Sequence, residues 1–180
     1  MDPGALISPQ HRHLAGLLEA IQRCVYFLDA SDQGIAWPLT GAALAARKKD
    51  NDLFEALAAV NERFSKLQDT LGAAMRHSLP LSGEQADSFI KVLAIFEKFQ
   101  VIDSIEEWQV MRTVRNLAAH AYEIDYAVVA EHFNTLHGLM PGLKYASAGV
   151  NCHHGRGQQH HHRASSAYAR KDRQDRRRCG

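Results

Sequence analysis

Between Arg112 and Asp125 the chain reads RTVRNLAAHAYEID. This stretch places Arg115, Asn116, His120 and Tyr122 close together near the end of an otherwise apolar, Ala-rich helical pattern. A guanidinium is a permanently charged fork of donors that matches the oxygens of a phosphate. An imidazole takes up or releases a proton near neutral pH, as general acid–base work requires. Together they suit an RNA phosphodiester. A base removes the proton of the ribose 2′-hydroxyl, the oxygen attacks its own phosphate, and a cation steadies the charged phosphorane. That route needs no metal, and the first 143 residues offer no paired carboxylates or His/Asp group at metal-ligand spacing.

Helix geometry complicates this picture. Asn116 and His120 lie four apart and stack on one face, while Arg115 and Tyr122 lie seven apart and share another. Arg115 and His120 differ by about 140° around an ideal helix. Either the helix frays near His120, or the two line a cleft whose other wall comes from elsewhere, a second subunit being the obvious source. The spacing alone equally fits Arg115 in a surface pair with an acid and His120 as a cation at a helix C-terminus. Arg156 and His161 repeat it in a segment with no core around them.

The elements that must position these groups read as helix after helix. From His11 to Asp29, Leu14, Leu17, Leu18, Ile21, Val25 and Leu28 recur at three- and four-residue steps. Gly34 and Pro38 break the pattern, and a short Ala-rich piece spans Ala42 to Lys48. After Asp50-Asn51-Asp52, Leu53, Leu57, Val60, Phe64, Leu67, Leu71 and Met75 form a seam like that of a coiled coil. It predicts a helix to about His77 that Pro80 stops, serving as a core helix, a subunit interface or both. Ser82-x-x-Gln85 has the form of a capping box opening a helix with Ala86, Phe89, Ile90, Leu93 and Phe96 on one side. Ser104-x-x-Glu107 is a second such box, opening the helix that carries Arg115. Asp125 reads as the N-cap of a last helix, with Ile124 stapled onto Val129. Phe133, Leu136 and Met140 continue the buried stripe before Pro141-Gly142 ends it. No segment alternates with period two, so no sheet is expected. The expected fold is all-α, an antiparallel bundle of four to five main helices.

The totals divide the chain. Of 180 residues, 46% are hydrophobic and 23% charged, as in an ordinary globular protein. The formal net charge of +1 conceals two parts. From Lys144 onward there are nine Lys/Arg and two Asp/Glu, a net of +7; the first 143 residues hold 12 basic and 18 acidic groups, a net of −6. The expected organisation is therefore a bundle domain over 1–143 and a basic, His/Arg-rich tail over 144–180. That tail is too poor in large apolar residues to offset the entropy of ordering, and so is expected to be disordered. No apolar run reaches the ~20 residues of a membrane span, and the N-terminus does not read as a signal peptide. With three scattered cysteines (Cys24, Cys152, Cys179) a disulfide framework is not expected, and a cytoplasmic setting is.

The full pattern Arg115-Asn116-x3-His120-x-Tyr122 resembles the HEPN family, whose signature is Arg-x4-6-His, and within it the HepT-like branch. RFSKLQDTLG (Arg63–Gly72) and IDSIEEWQVMRTVRNLAAHAYEID (Ile102–Asp125) agree with that branch, and the resemblance covers about Ser8 to Leu143. It implies a HEPN-like helical bundle, a homodimer whose Arg/His sets face a shared cleft, and metal-independent cleavage of an RNA substrate to a 2′,3′-cyclic phosphate. Arg115 would steady the phosphate, His120 would act as base or acid, and Asn116 would orient the histidine or the backbone. No cofactor or metal is implied. The expected partner is a cognate nucleotidyltransferase-type antitoxin, which in such systems adenylylates the motif tyrosine, Tyr122 here. The alternative within the same resemblance is a non-catalytic partner, an antitoxin or substrate-binding subunit of a nucleotidyltransferase; the acidic body speaks for it, since a −6 surface repels RNA unless the cleft is locally basic.

Other residues carry a second reading each. Arg112 widens a phosphate cradle or pairs with Glu106 or Glu107. Asp125 and Glu123 read as capping and solvated residues, Cys24 as a small core residue, and Trp108 as a core anchor or a stacking surface. Cys152, His153, His154 and His160–His162 are spaced too irregularly for a designed tetrahedral site.

Overall fold

In a computed structural model, the chain is described over residues 8–117 and 125–176, with side chains described over 8–116 and 125–151. Six helices and no strand appear among these residues: α1 (Pro9–Gln33), α2 (Gly41–Ala46), α3 (Asn51–Leu81), α4 (Phe89–Lys98), α5 (Ile105–Leu117) and α6 (Tyr126–Arg176). The all-α expectation holds, with α2 a short addition to five main helices. No described helix is long and apolar enough to cross a membrane.

α3 is the axis of the bundle and packs against α1, α4, α5 and α6. All seven residues of its predicted seam, Leu53 through Met75, are buried in the core of this single chain. Leu14, Leu18, Ile21 and Leu28 of α1 pack into the same core, as do Phe133, Leu136 and Met140 of α6. Each such side chain contributes about 1.5–3 kcal/mol by leaving water, which together outweighs any single polar contact in the fold.

The helix starts follow local chemistry. Ser8 accepts the His11 N–H and Pro9 takes the first turn of α1, where its missing N–H costs nothing. Asp50 Oδ1 accepts the Leu53 N–H at 3.0 Å, Ser104 Oγ accepts the Glu107 N–H at 3.0 Å, and Asp125 Oδ1 accepts the Ala127 N–H at 2.9 Å. All three are the caps expected from the sequence. The staple residue Ile124 lies outside the described residues.

The helix ends depart from expectation. Ser82 does not open α4; it closes α3. Its hydroxyl donates to the Leu79 carbonyl at 2.9 Å, and Gly83 follows at φ +82°. The Gly83 and Glu84 N–H groups then bond to the Pro80 and Leu79 carbonyls. That is a Schellman closure, which a left-handed glycine makes inexpensive. Pro80 lies inside the last turn of α3 rather than ending the helix before it. α4 accordingly starts later than the sequence suggested, at Phe89 with Ser88 as N-cap. Ile90, expected on its buried side, is 50% exposed, because Val92, Leu93 and Phe96 set the inward face.

The largest correction concerns α6. The sequence predicts an end at Pro141-Gly142 and disorder from Lys144, yet the helix runs through to Arg176. Met140, Leu143, Ser147 and Val150 extend the stripe begun by Phe133 and Leu136 at steps of three and four, and all are buried. Proline removes one N–H from the helix ladder, a cost of about 3 kcal/mol that burial of two further turns offsets. Gly142 and Gly149 act here as points of close approach. A Cβ at Gly142 would lie 2.9 Å from Met111 Cε, and one at Gly149 would lie 2.9 Å from Val101 Cγ1. Buried side chains thus continue along α6 at least to Val150.

Candidate functional site

The cap on Ser104 sets the phase of α5. Trp108 and Met111 then face inward, and both are 4% exposed. Arg112 and Arg115 follow one and two turns after Trp108 on the adjoining face. Across from them, α3 presents Gln68, Gly72 and Arg76 at successive four-residue steps, flanked by Asp69 and Ala73. With Phe89 from the start of α4, these residues line a cleft of about 250 Å³.

Gly72 allows the cleft to form. A Cβ there would stand 3.2 Å from Phe89 Cζ and 3.7 Å from Trp108 Cζ2, so its absence lets both rings approach α3. Their centroids are 6.3 Å apart at a 60° tilt, and the Arg76 guanidinium carbon lies 5.1 Å over the Phe89 ring. Gln68, 2% exposed, donates from Nε2 to the Trp108 carbonyl at 2.9 Å and so fixes α5 against α3. Its Oε1 is buried with no partner, as is Nε of Arg115.

Arg115 is the most constrained cation of the set, its side chain 13% exposed. Nη1 donates to Asp69 Oδ1 at 2.7 Å and to the Ser65 carbonyl at 2.9 Å. The expected pairing with an acid therefore exists, and the acid is Asp69, a residue the sequence reading did not single out. Asp69 is 65% exposed and stands at the rim. Three guanidiniums and one carboxylate line the cleft, which leaves it locally basic within a body whose first 143 residues carry a net −6. That composition has the chemistry to suit an oxyanion, with two aromatic rings as an apolar wall.

Of the residues expected from the sequence, Arg115 and Arg112 reach this cleft and Trp108 forms its wall while anchoring the core. Asn116 is exposed at the end of α5, one residue beyond Arg115. His120 and Tyr122 lie outside the described residues. Gln68, Asp69, Arg76 and Phe89 were missed; the signal was a glycine with Gln and Arg at −4 and +4 on one helix face.

Elsewhere, burial shapes three ionisable groups. Burial, and after it the neighbouring Asp103, push the Glu107 carboxyl above its usual range. Burial alone pushes the His132 imidazole down, and its Nε2 has no partner. Burial chiefly pushes the Cys24 thiol up, which fits a packing role better than a nucleophilic one. A His/Asp contact, His137 Nδ1 to Asp32 Oδ1 at 2.7 Å, has Trp37 stacked on the imidazole at 4.4 Å. Beside it Asn134 bonds both backbone groups of Leu39. This cluster ties the α1–α2 connection to α6. Among the described residues, no three His, Cys, Asp or Glu side chains gather as a metal would require. Compared with protein-family models, curated proteins and solved structures, the chain matches none.

Proposed function

We propose that the chain is a metal-independent endoribonuclease of the HEPN, HepT-like kind, the toxin of a pair whose antitoxin is a nucleotidyltransferase. The observation that carries this reading is the convergence of Arg76, Arg112 and Arg115 on one cleft backed by Trp108 and Phe89. Arg115 holds the phosphodiester. His120 accepts the proton of the 2′-hydroxyl as the O2′–P bond forms, and a proton passes to the 5′-oxygen as the P–O5′ bond breaks. Asn116 orients the histidine or the backbone, and a homodimer supplies the facing wall. Adenylylation of Tyr122 places a phosphate-bearing adduct near Arg115 and silences the site.

The test is incubation of the purified chain with RNA in excess EDTA, beside Arg115→Ala and His120→Ala variants. Cleavage that leaves a 2′,3′-cyclic phosphate and disappears in both variants is expected. Cleavage that survives His120→Ala, or that stops with EDTA, refutes the assignment.

One observation favours a second reading. Arg115 is already engaged by Asp69 and the Ser65 carbonyl, as in a residue that supports a non-catalytic partner of a nucleotidyltransferase. Tight binding to such an enzyme, with no RNA cleavage in any condition, identifies that role.

A further inference from the structure

On the other side of the α3 ridge from the arginine cleft lies a second cleft of about 270 Å³, between α1 and α3. Arg23, Cys24 and Phe27 of α1 line it with Glu62, Arg63 and Lys66 of α3. Three cations face one carboxylate, again a local reversal of the acidic body. Arg63 is held rather than loose. Its Nη1 donates to the Phe27 carbonyl at 3.0 Å and to Ser31 Oγ, and its guanidinium carbon lies 5.6 Å over the Phe27 ring. Arg23 and Lys66 are exposed.

Beside these cations α1 presents two aromatic rings to solvent. Tyr26 is 69% exposed and Phe27 45%, edge to face at 5.2 Å. Rings left in water beside cations, one of them held in place, are the composition of a single-strand nucleic-acid surface, where bases stack on rings while cations follow the backbone.

The two clefts flank one stripe of α3, formed by Glu62, Lys66, Asp69, Ala73 and Arg76 at steps of three and four. Their centres differ by eight residues of α3, or about 12 Å along its axis. A stacked strand covers that distance in about three to four nucleotides.

We infer that the α1–α3 cleft is a second polyanion subsite, holding the single-stranded segment of RNA that leads away from the α3–α5 cleft. Arg23 and Lys66 contact its phosphates, Arg63 is a preset cation, and Tyr26 and Phe27 stack its bases. The inference rests on the proposed RNA-binding role of the arginine cleft, so its test keeps the two apart.

The test is fluorescence anisotropy of the full chain with uncleavable 2′-O-methyl RNA of two and twelve nucleotides, at several salt concentrations. Arg23→Ala/Lys66→Ala is expected to weaken the twelve-mer about tenfold and to reduce its salt slope by about 1.4, two phosphate contacts at ~0.7 each. The dinucleotide, too short to span both clefts and seated in the arginine cleft, is expected to bind this variant as it binds the wild type. Tyr26→Ser, at a position already in water, is expected to weaken the twelve-mer about tenfold through lost stacking. Unchanged twelve-mer affinity in both variants overturns the inference and leaves the proposed function standing. Failure of the unaltered chain to bind either oligomer overturns both. Loss of self-association by sedimentation in Tyr26→Ser, with RNA affinity intact, makes the face a protein interface and also overturns it.

Discussion

Asp69→Asn separates the two ways of viewing Arg115. The carboxylate sits 2.7 Å from the guanidinium and is 65% exposed, while the arginine side chain is 13% exposed. Removing the charge costs the folded state about 0.5–1 kcal/mol, since one partner is largely in water. For a chain of this size that lowers Tm by about 1–4 °C. The effect on an anion is of opposite sign and larger. A phosphate seated on Arg115 stands about 5 Å from the Asp69 carboxylate, and at that exposure the repulsion is about 1–1.5 kcal/mol. The variant is therefore expected to bind phosphate-bearing ligands about five- to tenfold tighter. The assay is titration with a nucleoside monophosphate followed by fluorescence, since Trp108 forms the cleft wall. Arg115→Ala is expected to weaken binding, and Asp69→Asn in that background to recover less than it gains alone, because the two charges act on each other. An anion site at Arg115 is excluded if Asp69→Asn binds no tighter and Arg115→Ala binds no worse. The cleft is then an ion pair over a packed wall and nothing more.

Three further predictions concern stability. Gly41→Ala is expected to cost about 1–3 kcal/mol, because its Cβ would meet backbone atoms of Ala127 at 2.9 Å that cannot yield; Gly138→Ala, with open space around it, is expected to gain about 0.5–1 kcal/mol, both read from chemical melts. Gln100 closes α4 at φ 55° with its N–H on the Glu97 carbonyl and the Val101 N–H on that of Phe96, so Gln100→Gly is expected to stabilise by roughly 0.5–1 kcal/mol in the same measurement. The shifted acid and base act together on the pH profile. Glu107 has a raised folded pKa, so its contribution is full below the ordinary carboxylate range and is lost as pH rises through the folded value. His132 has a lowered one, so its contribution is full above about 6.5 and is lost as pH falls through the folded value. Glu107→Gln should thus stabilise at pH 7 and not at pH 3, and His132→Gln should flatten the acid limb; melts across pH 3–8 check both signs.

The residues explain why some of this was legible in advance. Helix starts depend on contacts within one turn, so Asp50, Ser104 and Asp125 could be read as caps without knowing anything else. Helix ends depend on what the next turn gains. Ser82-Gly83 held two local messages, a capping box and a Schellman closure, and the second won because Leu79 and its neighbours are already packed. Pro141 and Gly142 read as a stop because propensity counts only the lost hydrogen bond and the backbone entropy. The buried faces of Leu143, Ser147 and Val150 enter only once α6 has partners.

Helical periodicity, the seam of α3 and the placement of Arg112 and Arg115 on one side of α5 follow from the residues alone through a 3.6-residue repeat, and the starts of α3, α5 and α6 follow from their capping side chains. Which groups face those arginines is settled by the packing of the folded bundle. Gln68 meets the Trp108 carbonyl across 40 residues of chain, and Arg115 meets the Ser65 carbonyl across 50. Such pairings are set by how side chains of α3, α4 and α5 fill one close-packed volume, with a glycine at the point of closest approach, and no local spacing encodes that.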